Sequence, residues 1–224
     1  MTELRGPGDL DMRARQSLGS SAPAIYRTVA TLLTERGAAG TLADIGCGGG
    51  HLWRALRPSF SRCVGVDALR YDDLPEAVEF VAADLDRLPL PLADQSADVV
   101  TAVEVIEHLE NPRAFCRELA RVAKPGGWVV VTTPNQLSLL SLLTLLVKNR
   151  FGAFQDSAYP AHITALLEVD LRRIAAECAL EAVHLCYTGQ GRIPGSPAHY
   201  PAAMSAGLPR LLSDNLVLIG RARG

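Results

Sequence analysis

The sequence predicts an α/β fold: a Rossmann-like, mostly parallel sheet of seven strands with helices on both faces and the last strand antiparallel. Three observations lead there. Seven short apolar runs of β-type composition alternate with helical segments, the pattern of a sheet covered on both sides. A bare turn, four glycines in five positions from Gly46 to Gly50, follows the first run directly. Acids close several later runs, at Asp67, Asp84 and Glu104, where open α/β sheets collect ligands.

In chain order the runs are TLADIG, RCVGVD, VEFVAAD, ADVVTAVE, WVVVTTP, EAVHLCY and NLVLIGRA. Ahead of the first, Ser21 and Pro23 open AIYRTVATLLTERG, which closes on Gly37; a serine cap and a glycine stop are expected there. Asn111 and Pro112 open RAFCRELARVAK, which ends at Pro125, Gly126 and Gly127. Phe115, Leu119 and Val122 recur within it at helical spacing and are expected to pack on the sheet. From Leu137 to Val147, LSLLSLLTLLV is apolar almost all round, with a narrow polar stripe at Ser138, Ser141, Thr144 and Lys148. It is shorter than the roughly 20 residues a bilayer span needs. The expectation is a helix buried under the following loop; the alternatives are a lid over a greasy substrate or a patch that touches a membrane or lipid surface.

Composition bounds the rest. A chain of 224 residues with 48% apolar side chains can bury one sizeable core, so a single domain over residues 1–224 is expected. Residues 1–20 mix acids with arginines and have no apolar leader; they are expected to be partly disordered or to form a lid. A net charge of −2 without basic runs disfavours nucleic acid as partner and favours a small-molecule acceptor. Five cysteines with no CxxC pair read as reduced thiols in a cytoplasmic protein. The oligomeric state stays open.

The glycines lie between a strand and a helix, where a bare backbone approaches a ligand closely. A dinucleotide fingerprint GxGxxG fails, because its third glycine position holds His51. The pattern that fits is Asp44, Gly46, Gly48, Gly50. An acid two residues ahead of the turn would repel a pyrophosphate and suits a cationic amino-acid group. These residues resemble the first motif of class I S-adenosylmethionine-dependent methyltransferases, strongly over Thr41 to Asn135 and loosely over Ala161 to Leu185. The resemblance implies S-adenosyl-L-methionine as cofactor. It places Asp44 with Gly46, Cys47, Gly48 and Gly50 at the methionine end, Asp67 and Ala68 at the ribose, Asp84 and the Leu85 N–H at the adenine, and Val103 beside them.

VEVIEHL sets Glu104, Glu107 and His108 at i, i+3 and i+4, expected on one face of a helix. With His162 they form a donor set of the kind that binds Mg2+ or Mn2+. The ExxEH pattern, with TPN and a later histidine, resembles metal-dependent small-RNA 2′-hydroxyl methyltransferases and ubiquinone-pathway O-methyltransferases. Glu107, His108 and His162 are the catalytic candidates. Three roles stay open at this point: a metal centre, His162 as a general base without metal, and a site that works by positioning alone. His51 reads as a helix-surface or cofactor-edge residue, and His184 and His199 have no partner in the pattern.

The acceptor is expected against the N-terminal segment, the 136–160 insert and the loop YTGQGRIPGSPAHYPAAM. These look apolar or Pro/Gly-rich, which favours O-methylation of a small hydrophobic, lipid- or quinone-like acceptor. The alternatives are a sugar or natural-product intermediate, a cofactor-binding protein without catalysis, and a nicotinamide-dependent reductase.

Overall fold

The computed structural model describes residues 19–223. The expectation for residues 1–20 therefore lies outside the described residues, except at Gly19 and Ser20. Strands β1 (Gly40–Ile45), β2 (Phe60–Asp67), β3 (Val78–Ala82), β4 (Ala97–Val103), β5 (Ala123–Pro134), β6 (Leu180–Tyr187) and β7 (Asn215–Ala222) form one sheet. Their order is β3-β2-β1-β4-β5-β7-β6. The first five pair in parallel, and β7 runs antiparallel to both β5 and β6, as the sequence predicts.

Alternation along the strands builds two cores. Val99 and Val130 point to one face, packed with Ile25, Val29 and Leu33 of α1 (Pro23–Glu35) and Leu52 and Leu56 of α2 (His51–Leu56). Val100, Val129 and Val131 point to the other, under α3 (Pro112–Val122) and α5 (Glu168–Glu177). Phe115, Leu119 and Val122 are all buried there, and the Asn111 side chain accepts from the Ala114 N–H at 3.0 Å. The Ser21 cap is not formed. Ala22 is the residue before α1 and Pro23 removes one orphan donor, while the Ser21 N–H donates to the Tyr26 hydroxyl at 2.8 Å.

The apolar segment folds as α4 (Leu139–Lys148), and its expected burial is overturned. Ser141 is its one buried residue, whereas Leu146 and Val147 are 83% and 82% exposed. Of the polar stripe, Ser138 and Ser141 face in, where Ser138 Oγ caps the Ser141 N–H and Ser141 Oγ accepts from the Gly152 N–H, while Lys148 is exposed. A short α6 (Ala202–Gly207) precedes β7.

Chain direction fixes where the site lies. From β1 the chain winds outward through β2 and β3, then returns to β4 on the other side of β1. A crevice opens at the carboxyl ends of these two strands, between Gly46 and Glu104.

Candidate functional site

The glycine turn is built for close approach. Gly46 has φ +75°, and a Cβ there would come within 2.3 Å of Val105 Cγ2. Gly48 has φ +48°, and its Cβ would meet the Gly19 carbonyl at 2.1 Å. The Gly48 N–H donates to Asp67 Oδ2 at 2.9 Å and the Ala68 N–H to Oδ1 at 2.7 Å, which fixes the carboxylate at the end of β2. Burial raises the Asp67 pKa against these bonds. Asp84, past β3, accepts from the Asp86 N–H at 3.1 Å. Asp44 is fully buried behind the turn, where its Oδ1 accepts from the Thr101 hydroxyl at 2.7 Å; burial pushes its pKa up to about 6.

The ExxEH segment departs from the expected helix. Glu104 has φ +55° and stands apart from a single 3-10 turn, Ile106–His108. The Glu104 carboxylate accepts from the Thr132 hydroxyl and the Asn215 amide, both at 2.7 Å, and its pKa is raised to about 7 by burial. Glu104, Glu107 and His108 therefore do not share a helical face.

Glu107, His108 and His162 do converge, with one potential ligand atom from each lying within 4.8 Å of the others. The backbone brings them together: the Ile163 and Thr164 N–H groups donate to the Glu107 carbonyl at 3.0 and 2.9 Å, and the Thr164 hydroxyl donates to the Leu109 carbonyl. His108 Nδ1 lies 2.9 Å from the Ala161 carbonyl and His162 Nδ1 2.7 Å from the Ala153 carbonyl. A carbonyl only accepts, so each Nδ1 carries the proton and each Nε2 is the lone-pair nitrogen. Both Glu107 carboxylate oxygens are buried, and neither meets a donor at full hydrogen-bond geometry among the described residues; the Thr133 hydroxyl and the Glu107 N–H stand close enough to favour the charged form, against the larger effect of burial. Burial and the neighbouring Glu104 carboxylate push the Glu107 pKa well above the usual range. Burial also lowers that of His162, which keeps the imidazole neutral near pH 7.

One cavity of about 580 Å³ joins the two ends. Gly46, Asp67, Ala68, Asp84, Leu85 and Val103 line one end; Asp44, Cys47, Gly48 and Gly50 stand behind that lining. Glu104, Glu107, His108 and His162 line the other. The acceptor end is more polar than the sequence predicts, since Thr188, Gln190, Arg192 and His199 border it. Their loop is one of the expected acceptor segments, and His199 gains a role in the wall. Tyr26, Asp214 and Asn215 also line the cavity and carry no motif that marks them. His51 packs beside Tyr26, with ring centroids 5.6 Å apart, and lies 3.8 Å from Asp73, off the cavity wall.

Residues 19–185 match the family described as a methyltransferase domain. The chain belongs to that methyltransferase family. It is 34% identical over 102 residues to a ubiquinone biosynthesis O-methyltransferase of Bordetella avium, a match covering 42% of each chain. It is 35% identical over 122 residues to a probable S-adenosylmethionine-dependent methyltransferase of Mycobacterium tuberculosis, covering 51% of this chain and 41% of the relative. The matched stretch thus spans less than half the length of these relatives. A solved SAM-dependent methyltransferase from Archaeoglobus fulgidus shares the fold at TM-score 0.61 and 17% identity, over 92% of this chain and 96% of that one. The residues of this domain fit S-adenosylmethionine: the Gly46 cradle has room only for backbone, and Asp67 and Asp84 face the cavity from adjacent strand ends.

Proposed function

We propose that the chain transfers a methyl group from S-adenosylmethionine to a hydroxyl of a small acceptor, with a divalent cation of the Mg2+ or Mn2+ kind held by Glu107, His108 and His162. One observation carries the cation: the fully buried Glu107 carboxylate, with no donor at full hydrogen-bond geometry and only the Thr133 hydroxyl and its own N–H close by, converges with two imidazoles whose Nδ1 atoms face backbone carbonyls. A buried carboxylate with no partner is costly unless it is protonated or meets a cation. Glu104 stands nearby as a second carboxylate held by Thr132 and Asn215, which adds to the attraction for a divalent charge.

The cation, when bound, lowers the acceptor hydroxyl's pKa and orients its oxygen. The sulfonium donor carries an activated methyl group. The chain's own residues do the positioning. Asp67 and Asp84 hold the nucleoside, Asp44 supplies negative charge behind the methionine end, and the turn from Ile106 to His108 sets the acceptor end facing it. In-line approach supplies much of the acceleration expected of such a site.

Names of the relatives that act in ubiquinone biosynthesis support a hydroxyl as the acceptor group, and the preferred acceptor is lipid- or quinone-like. The polar wall of Gln190, Arg192 and His199 favours a second reading, a sugar or natural-product intermediate with several polar groups. The expected cytoplasmic setting is supported by five free thiols.

Titration with Mn2+, followed by electron paramagnetic resonance of the free ion, tests the centre. One ion per chain, lost in Glu107→Gln, supports it. Absent binding, or binding unchanged by that substitution, leaves His162 as an uncharged general base.

A further inference from the structure

Five buried side-chain oxygens among the described residues meet no partner at full hydrogen-bond geometry, and three of the five fall on Glu107 and Thr133. Buried polar groups are paired almost everywhere in folded proteins, so a deficit concentrated on two residues asks for a function. Glu107 belongs to the proposed cation centre. Thr133 does not line the cavity, and its hydroxyl has no evident structural task.

Strand alternation places it. Towards its carboxyl end β5 runs Val129, Val130, Val131, Thr132, Thr133, in unbroken register with β7. Successive side chains leave a strand on opposite faces. Thr132 therefore shares the face of Val130, towards α1, and Thr133 that of Val129 and Val131, which pack in one cluster with Ile106 of the 3-10 turn. Each threonine serves one acid. The Thr132 hydroxyl donates to Glu104 Oε1 at 2.7 Å and accepts from the Glu104 N–H at 2.9 Å. The Thr133 hydroxyl, fully buried like Glu107, stands close enough to the Glu107 carboxylate to favour its charged form. Because Glu107, His108 and His162 line the cavity and Thr133 does not, this hydroxyl approaches from the sheet side and leaves the cavity side to the imidazoles.

The residue type is informative. Three valines precede the threonine pair on the same strand, and valine has the shape of threonine without the hydroxyl. At a site with 0% exposure an unpaired hydroxyl costs about 1–3 kcal/mol, so packing alone favours valine.

We propose that Thr133 is a positioning residue of the cation centre: its hydroxyl donates to one Glu107 oxygen and turns the other towards His108 and His162. The inference rests on the cation proposed for Glu107, His108 and His162, and adds the group that orients their carboxylate. Groups that hydrogen-bond a metal's ligand fix its orientation and strengthen its hold on the ion. The hydroxyl falls short of full geometry in the fold as it stands, so its contribution goes to orienting a ligand rather than to stabilising the chain.

Mn2+ titration of the full chain, read by electron paramagnetic resonance of the free ion, tests this with two variants. Thr133→Val is expected to weaken Mn2+ binding by about 10- to 100-fold, and Thr133→Ser, which keeps the hydroxyl, to restore most of it. The melting temperature of ion-free Thr133→Val is expected to hold or rise. Its S-adenosylmethionine binding is expected to match the parent's, which shows that the fold and the other end of the cavity are intact. Mn2+ binding by Thr133→Val as tight as the parent's, or by Thr133→Ser as weak as that of Thr133→Val, would overturn the proposal and leave the cation centre in place. A parent chain that binds no Mn2+ would overturn both.

Discussion

The His108 and His162 rings stand edge to face, with centroids 4.8 Å apart and planes at 75°. Each ring is steered by a backbone carbonyl on its Nδ1, and both lie beside the buried Glu107 carboxylate. That orientation is the one the proposed cation centre requires of a ligand pair.

Glu107→Gln separates ligand from scaffold. The amide keeps the shape and can no longer supply a carboxylate, so turnover is expected to fall by about 100-fold, the upper end of what loss of a mere outer-shell partner of a metal ligand costs. Thermal stability of the metal-free protein is expected to hold or rise, because a buried carboxyl next to Glu104 is no longer present. Thermal melting beside steady-state turnover checks both.

Asp44 gives a pH dependence of stability. Burial raises its pKa from 3.8 to about 6, so the folded state binds the proton more tightly than the unfolded chain. Stability from this group is full below about pH 4 and falls as pH rises to about 6, by about 3 kcal/mol. In Asp44→Asn the Thr101 hydroxyl keeps its acceptor and the charge is gone. The cofactor-free variant is expected to melt higher than the parent at pH 7.5, with the difference vanishing near pH 4, and to bind S-adenosylmethionine more weakly. Melting curves across that range, with calorimetric titration of the cofactor at pH 7.5, measure both effects.

Gly48→Ala tests the turn. The added Cβ would stand 2.1 Å from the Gly19 carbonyl at a φ of +48°, so backbone on one side or the other must shift. A loss of about 2 kcal/mol or more is expected in urea unfolding, with weakened cofactor binding because Gly48 also donates to Asp67.

How much of this was legible in the sequence follows from which forces decide each feature. All seven strands and the acids that end them could be read, since alternation and strand ends are local. Asp67 and Asp84 duly face the cavity. The Glu104 geometry could not be read, because a positive φ at a glutamate is sustained by Thr132 and by Asn215, 111 residues away. Nor could the burial of α4: apolar composition says that a helix can be buried, and only the placement of other elements says whether anything covers it. Asp214 and Asn215 reach the cavity from the start of β7, which topology alone places beside β5.

Cation-assisted methyl transfer is tested by the release of S-adenosylhomocysteine from S-adenosylmethionine in the presence of a panel of catechols, polyhydroxylated aromatics and sugars. Turnover on a hydroxylated acceptor that is lost in chelator, restored by Mg2+ or Mn2+, and cut about 100-fold in Glu107→Gln is the predicted result. Turnover that persists undiminished in chelator and in Glu107→Gln would contradict it.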